Sequence, residues 1–319
     1  MSMDRTETTY VETVLRDELA RGNRALRGVA PVIAHMLDAT GPALVSDAIV
    51  ARLRGMLGDL ARQLLEASAS VQRAEILDEA AIDALADALA HDGAVLDHLY
   101  ALAMEGQLND RLSARSAIDP VLSPLLQELI ASDDPAVAEL AMKVLAAQSR
   151  FNQSQRRMQL PLGELPADLF AAVLGQFETA TFASDPANSE RALAQLKARY
   201  DEGAGRLGLL ARLTTAMRGG AVAALDLEHA GLGLFASALA SLTRQPRDLA
   251  VFSCHERQAA RLALSLRAAG LGSDAIEAQF LLLGQAETVP DGISDMPAER
   301  AQMLLGAGDP DTNLGGGAL

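Results

Sequence analysis

Apolar residues recur along this chain at intervals of three and four, so that nearly every segment carries the 3.6-residue period and no stretch alternates convincingly with period two. In "GPALVSDAIVARLRGMLGDLARQLLEA" the residues Val45, Ile49, Leu53, Met56, Leu60 and Leu64 fall on one stripe, which predicts a long helix with a single buried face. "DEAAIDALADALAH" follows, with Ile82, Leu85 and Leu89 on one side and Asp83 and Asp87 on the other. Start and stop signals bracket such segments. Asp133 and Asp134 precede Pro135, Ser273 opens "SDAIEAQFLLLG", which stops at Gly284, and Gly270 closes a helix expected to contain Cys254. The pattern predicts an all-α protein of about a dozen helices with short connections, more than a four-helix bundle needs.

Three stretches share a plan: "EGQLNDRLSARSAIDPVLSPLLQELI", "AAQSRFNQSQRRMQLPLGELPADLFAAVL" and "ERQAARLALSLRAAGLGSDAIEAQFLLL". Each has a polar, Arg-bearing helix end, a break, and then an apolar helix. The first two lie about 40 residues apart, the length of a HEAT-type helical pair. "DDPAVAELAMKVLAAQSRF" fits the inner helix of such a pair. On these helix starts and Arg-bearing turns, residues from about 75 to 285 resemble a family of uncharacterised bacterial proteins built from HEAT-like helical repeats. The resemblance implies a HEAT-like repeat array behind an N-terminal helical region, and it brings no catalytic signature with it. The expected organisation is an N-terminal helical region over 1–75, a repeat domain over 76–284, and a mobile Gly/Pro-rich tail over 285–319. Within that tail, "SDMPAERAQMLL" predicts one short helix that docks through Ile293, Met296, Met303 and Leu304.

Composition narrows the function classes. Half the residues are hydrophobic but only 3% are aromatic, a usage that favours helix over sheet. Formal net charge is −15, with 11 basic against 23 acidic residues in 1–140 and 16 against 19 in 141–319. An acidic N-terminal half repels phosphate backbones and anionic membrane surfaces, which disfavours nucleic-acid and membrane partners. One cysteine precludes an intramolecular disulfide and fits a reducing compartment. With no apolar leader and no run long enough to span a bilayer, a cytoplasmic location is expected.

The candidate chemistry is sparse. Cys254 and His255 stand side by side in "VFSCHERQAARLALSLRAAG", but on a continuous helix they point about 100° apart and form no dyad. There Cys254 would lie among Arg247, Arg257 and Arg261 as a redox-sensitive thiol, and His255 on an apolar face. "HDGAVLDH" brings His91, Asp92, Asp97 and His98 close in sequence without the i, i+4 ligand spacing of a helical metal site, so neither metal nor cofactor is expected. His35, in an A-H-x-L setting, is similar to the phosphorylated histidine of phosphotransfer bundles, but Asp38 stands where a lysine would hold phosphate. No phosphate-cradling glycine loop, nucleophile elbow or C-x-x-C occurs.

What remains is a basic surface. Residues 140–163 contain Lys143, Arg150, Arg156 and Arg157 and no acid, with Gln148, Gln153 and Gln155 among them. If the helix from Pro135 runs to Met158, Lys143, Arg150 and Arg157 share a heptad stripe. With Arg206, Arg212 and Arg218 of a second acid-free stretch, 203–225, and with Arg247, Arg257 and Arg261, these residues predict an anion-pairing surface. The leading expectation is a non-enzymatic scaffold or adaptor binding an acidic protein segment or helix. The alternatives are a signalling or hydrolytic enzyme clamping a small phosphorylated ligand, a phosphotransfer-like module using His35, and self-association as a homodimer through residues 43–65. A bland reading competes with all of them: the arginines pair internally with the acidic half.

Overall fold

The computed structural model describes residues 2–38, 47–68, 78–182 and 185–307, with side chains described from residue 10 onward apart from 34–38 and 287. His35 and Val45 therefore lie outside the described side chains. The described residues form helices α1 (Ser2–Arg27), α2 (Val29–Asp38), α3 (Asp47–Ser68), α4 (Glu79–Ala90), α5 (Gly93–Ser116), α6 (Pro124–Ile130), α7 (Pro135–Arg156) and α8 (Ala167–Thr181). They continue with α9 (Pro186–Arg199), α10 (Arg206–Ala216), α11 (Leu227–Thr243), α12 (Arg247–Ser253), α13 (Ala259–Ala268), α14 (Ser273–Leu282) and α15 (Ala298–Ala307). No strand occurs among the described residues, and the fold is all-α. Caps fall where short polar side chains precede apolar runs. Asp78 accepts from the Ala80 N–H at 3.1 Å, Ser123 from Leu126 at 3.3 Å, and Asp134 from Ala136 at 2.9 Å.

The helices gather into two compact units, each assembled from separate stretches of chain. One comprises residues 29–106 and 143–209 and the other residues 1–28, 107–142 and 210–319. In the first, α3 is the central element, packed against α2, α4, α8 and α9. Its stripe Ile49, Leu53, Met56, Leu60 and Leu64 is at most 3% exposed. The apolar face expected to offer a dimer seam is thus buried within the unit.

In the second unit α11 is central and meets α6, α12, α13 and α14, while α13 also packs on α1 and α15. Thirteen residues of α11 are buried, including Leu232, Leu234, Phe235 and Leu239, so it has no polar face. Gly231 interrupts it at φ +69°, and a Cβ there would stand 3.3 Å from the Ser123 Cβ. The positive φ, more than close packing, requires the glycine. No single described helix is long and apolar enough to cross a membrane; the 3-10 segment Arg218–Leu225 and α11 pass together on length and composition but are bent by 118°.

The stretch expected to be a mobile tail is held in this unit over residues 285–307. Ile293, Met296 and Leu304 are buried, whereas Met303 is 57% exposed. Gln302 donates to the Thr243 carbonyl at 2.9 Å, and Arg300 makes a two-pronged ion pair with Glu12 of α1. The hydrogen bonds from Arg300 hold the Glu12 carboxyl below its ordinary pKa, against the opposing effect of burial.

Candidate functional site

In the unit of residues 29–106 and 143–209, α7 divides cleanly into two faces. Val144, Ala147, Gln148, Phe151 and Gln155 point inward, at i, i+3, i+4, i+7 and i+11. Lys143, Arg150, Gln153 and Arg156 point outward and are exposed. The helix ends at Arg156, one residue before the heptad stripe is complete, so Arg157 extends the basic face from the turn that follows. Arg157 N–H donates to Gln153 O at 3.2 Å and Ser154 O at 3.0 Å, and Gln159 N–H returns to Ser154 O at 2.9 Å. Met158 closes this turn with φ +56°, a left-handed conformation that usually falls to glycine. Its side chain is nevertheless 41% exposed.

Three residues of α3 fix this basic end in place. Gln63 donates to the Leu160 carbonyl at 2.8 Å and accepts from the Leu162 N–H at 3.0 Å. Asp59 accepts from the Leu160 N–H at 3.0 Å. Burial pushes the Asp59 carboxyl above its ordinary pKa, and the bonds from Leu160 and Gln63 work the other way. Gly55 provides the room: a Cβ there would lie 2.5 Å from the Met158 Cβ and 2.7 Å from its carbonyl oxygen. Alanine in a helix interior ordinarily gains about 1 kcal/mol over glycine. At Gly55 the clash is with backbone and a Cβ, which cannot swing aside. Gly55→Ala is expected to cost about 1–3 kcal/mol as an overpacking substitution, read as a lower urea midpoint; a raised midpoint would contradict this placement.

The other arginines divide between surface and interior. Arg206 is 1% exposed and donates to both oxygens of Glu105, itself fully buried, at 2.7 and 2.8 Å. Gln148 accepts a third bond at 3.0 Å, and the guanidinium lies 3.6 Å from the Phe151 ring centroid. Here the bland reading holds, since an arginine of the C-terminal half pairs with an acid of the N-terminal half. Arg150, Arg156 and Arg157 differ: among the described residues no ion pair or side-chain hydrogen bond occupies their guanidiniums.

In the unit of residues 1–28, 107–142 and 210–319, the stretch around Cys254 corrects the expectation of one continuous helix. α12 stops at Ser253, His255 adopts an extended conformation at φ −88° and ψ 142°, and a 3-10 turn Glu256–Gln258 leads into α13. The His255 Nδ1 accepts from the Arg257 N–H at 3.2 Å and so caps that turn. Burial keeps the imidazole below its ordinary pKa, with Glu256 opposing and Arg111 and Arg257 adding to the shift. The break redirects every side chain placed on the assumption of a continuous helix. Cys254 is fully buried with its thiol toward the Ala250 carbonyl at 3.5 Å, which corrects the redox-thiol assignment, because oxidants need access. Arg261 is 1% exposed and donates to the amide oxygens of Gln245, at 2.7 Å, and Asn23, so it is not part of an open basic surface. Arg257 is exposed.

Among the described residues no three His, Cys, Asp or Glu side chains gather where a metal ion could be held. His91 caps α4 with its Nδ1 2.7 Å from the Asp87 carbonyl oxygen, and His98 is 3% exposed in α5.

Comparison of the chain with protein-family models, curated proteins and solved structures finds no match. The site is therefore read from its own chemistry. Arg150, Arg156 and Arg157 are exposed, and sequence reasoning missed Glu105, the buried partner of Arg206. The signal was present, for Glu105 has Ala101, Leu102 and Leu108 at i−4, i−3 and i+3 and so stands on an apolar stripe. A carboxylate in that position is buried only when paired.

Proposed function

We propose that this protein is a non-enzymatic helical binding module, and that the outer face of α7 takes an acidic protein segment or helix. The observation that carries the reading is the state of Arg150, Arg156 and Arg157: exposed, and engaged by no ion pair among the described residues. Met158 stands beside them with 41% of its surface exposed. Its exposed, flexible thioether suits an apolar side chain on the partner. In this reading the consecutive packed pairs α3–α4, α8–α9 and α11–α12 follow a HEAT-like plan, and such arrays work through surface area. The acidic remainder of the molecule repels competing polyanions, and the protein works in the cytoplasm.

The test is fluorescence anisotropy with a labelled synthetic peptide of alternating Glu and Leu. Three exposed charge contacts at about 0.2–1 kcal/mol each predict that Arg150→Gln/Arg156→Gln/Arg157→Gln weakens binding by about 3- to 150-fold. Wild-type affinity should also fall as salt is raised, because the contacts are exposed. Equal affinity of wild type and triple variant would remove α7 as the binding face.

A further inference from the structure

The unit of residues 1–28, 107–142 and 210–319 contains a cleft of about 770 Å³, between α1, the start of α13 with its preceding 3-10 turn, and residues 288–291. That volume lies within the range of small-molecule sites. Two close approaches define its ends. At one, Gly22 of α1 meets Gln258: a Cβ on Gly22 would stand 2.5 Å from the Gln258 Oε1, and Gln258 donates to the Gly22 carbonyl at 3.0 Å. At the other, Gly292, at φ +74°, approaches Val11, whose methyl carbons would be 2.8 Å from an added Cβ. From Val11 to Gly22 the axis of α1 rises roughly 16 Å, which sets the length of the cleft.

The two ends differ in chemistry. Beside the Gly22–Gln258 contact stand their chain neighbours Arg21 and Arg257, both exposed and in no ion pair among the described residues. Buried Arg261, which donates to Gln245 and Asn23, also lines the cleft, so three arginines line this end with two acids, Glu18 and Glu256. Toward the Gly292–Val11 contact the walls are Val11, Val14, Val289 and Pro290, with Asp291 the charged group. Tyr10 and Val14 leave 70% and 39% of their surface in water at that end. An anionic head is attracted to the arginine end and repelled by Asp291 at the other, while an apolar body covers exposed hydrocarbon.

We propose that this cleft binds a small amphiphilic anion, with its carboxylate or phosphate head between Arg21 and Arg257 and its apolar chain along Val11, Val14, Val289 and Pro290. The site is separate in sequence from the α7 face, and the inference stands without the reading given for that face. Calorimetric titration with decanoate and with decyl phosphate, each below its micelle concentration, tests it, with decanol as the neutral control. The expected result is one-to-one binding of at least one of the two anions, identifying the head group. That binding should weaken at least tenfold in Arg21→Gln/Arg257→Gln and, independently, in Val14→Asp. Decanol should bind at least tenfold more weakly than the anion, and Arg150→Gln/Arg156→Gln/Arg157→Gln should bind it as wild type does. Failure of both anions to bind, or equal binding by decanol or by the double arginine variant, would overturn the proposal.

Discussion

Glu105→Ala is expected to destabilise the protein by about 3–5 kcal/mol, the cost of stranding one member of a buried ion pair. The carboxylate has no exposed surface and receives two bonds from Arg206, which is 1% exposed. Removing it leaves a guanidinium with the neutral Gln148 oxygen at 3.0 Å and the face of Phe151. Neither returns the desolvation energy of a full charge. The pair as a whole contributes little, because its attraction is offset by the cost of taking both charges out of water. Glu105→Leu combined with Arg206→Met should therefore recover most of the loss. Urea denaturation of the single and double variants checks both statements. A single variant as stable as wild type would mean that Arg206 reaches water, and a double variant no better than the single one would mean that the pair is worth more than its desolvation.

Phe235→Ala should cost a similar amount, about 3–5 kcal/mol, for a different reason. Phe235 is fully buried in the middle of α11, the helix on which α6, α12, α13 and α14 converge. Truncation loses the transfer energy of the ring and leaves a cavity that neighbours on all sides must close. Helices that meet α11 from several directions cannot all move in. A loss below about 1 kcal/mol would show that the site collapses readily and that α11 is not the rigid centre of its unit.

Much of this architecture was legible as periodicity. The stripe from Ile49 to Leu64, the inward Ile82, Leu85 and Leu89, and the helix starts at Pro135 and Ser273 all appear where spacing and caps place them. These features depend on residues within a turn or two of one another. The grouping into two discontinuous units does not, and no local pattern encodes it. The break between Ser253 and Ala259 falls where the His255 Nδ1 offers the Arg257 N–H an alternative to a helical hydrogen bond, and the side-chain periodicity alone did not mark it. Arginines were hardest to place. In an acid-free stretch an arginine reads as surface, but Arg206 finds its carboxylate 101 residues away and Arg261 finds Asn23 at a separation of 238. Only the apolar neighbours of Glu105 hinted at a buried partner. Over residues 285–307 the Gly, Pro and Asp content suggested mobility, whereas the apolar spacing pointed to docking, and Ile293, Met296 and Leu304 are indeed buried while Met303 is exposed.

In the reading proposed for α7, Arg206 holds the fold and Arg150, Arg156 and Arg157 face a partner. One paired measurement tests it most directly: the urea midpoint and the acidic-peptide affinity of Arg150→Gln/Arg156→Gln/Arg157→Gln, set beside those of Glu105→Ala. The triple variant should keep the wild-type midpoint and lose peptide binding, while Glu105→Ala should lose stability first, with its remaining folded fraction still binding. A triple variant that unfolds early yet binds the peptide as wild type does would contradict the account, because those three arginines would then belong to the fold.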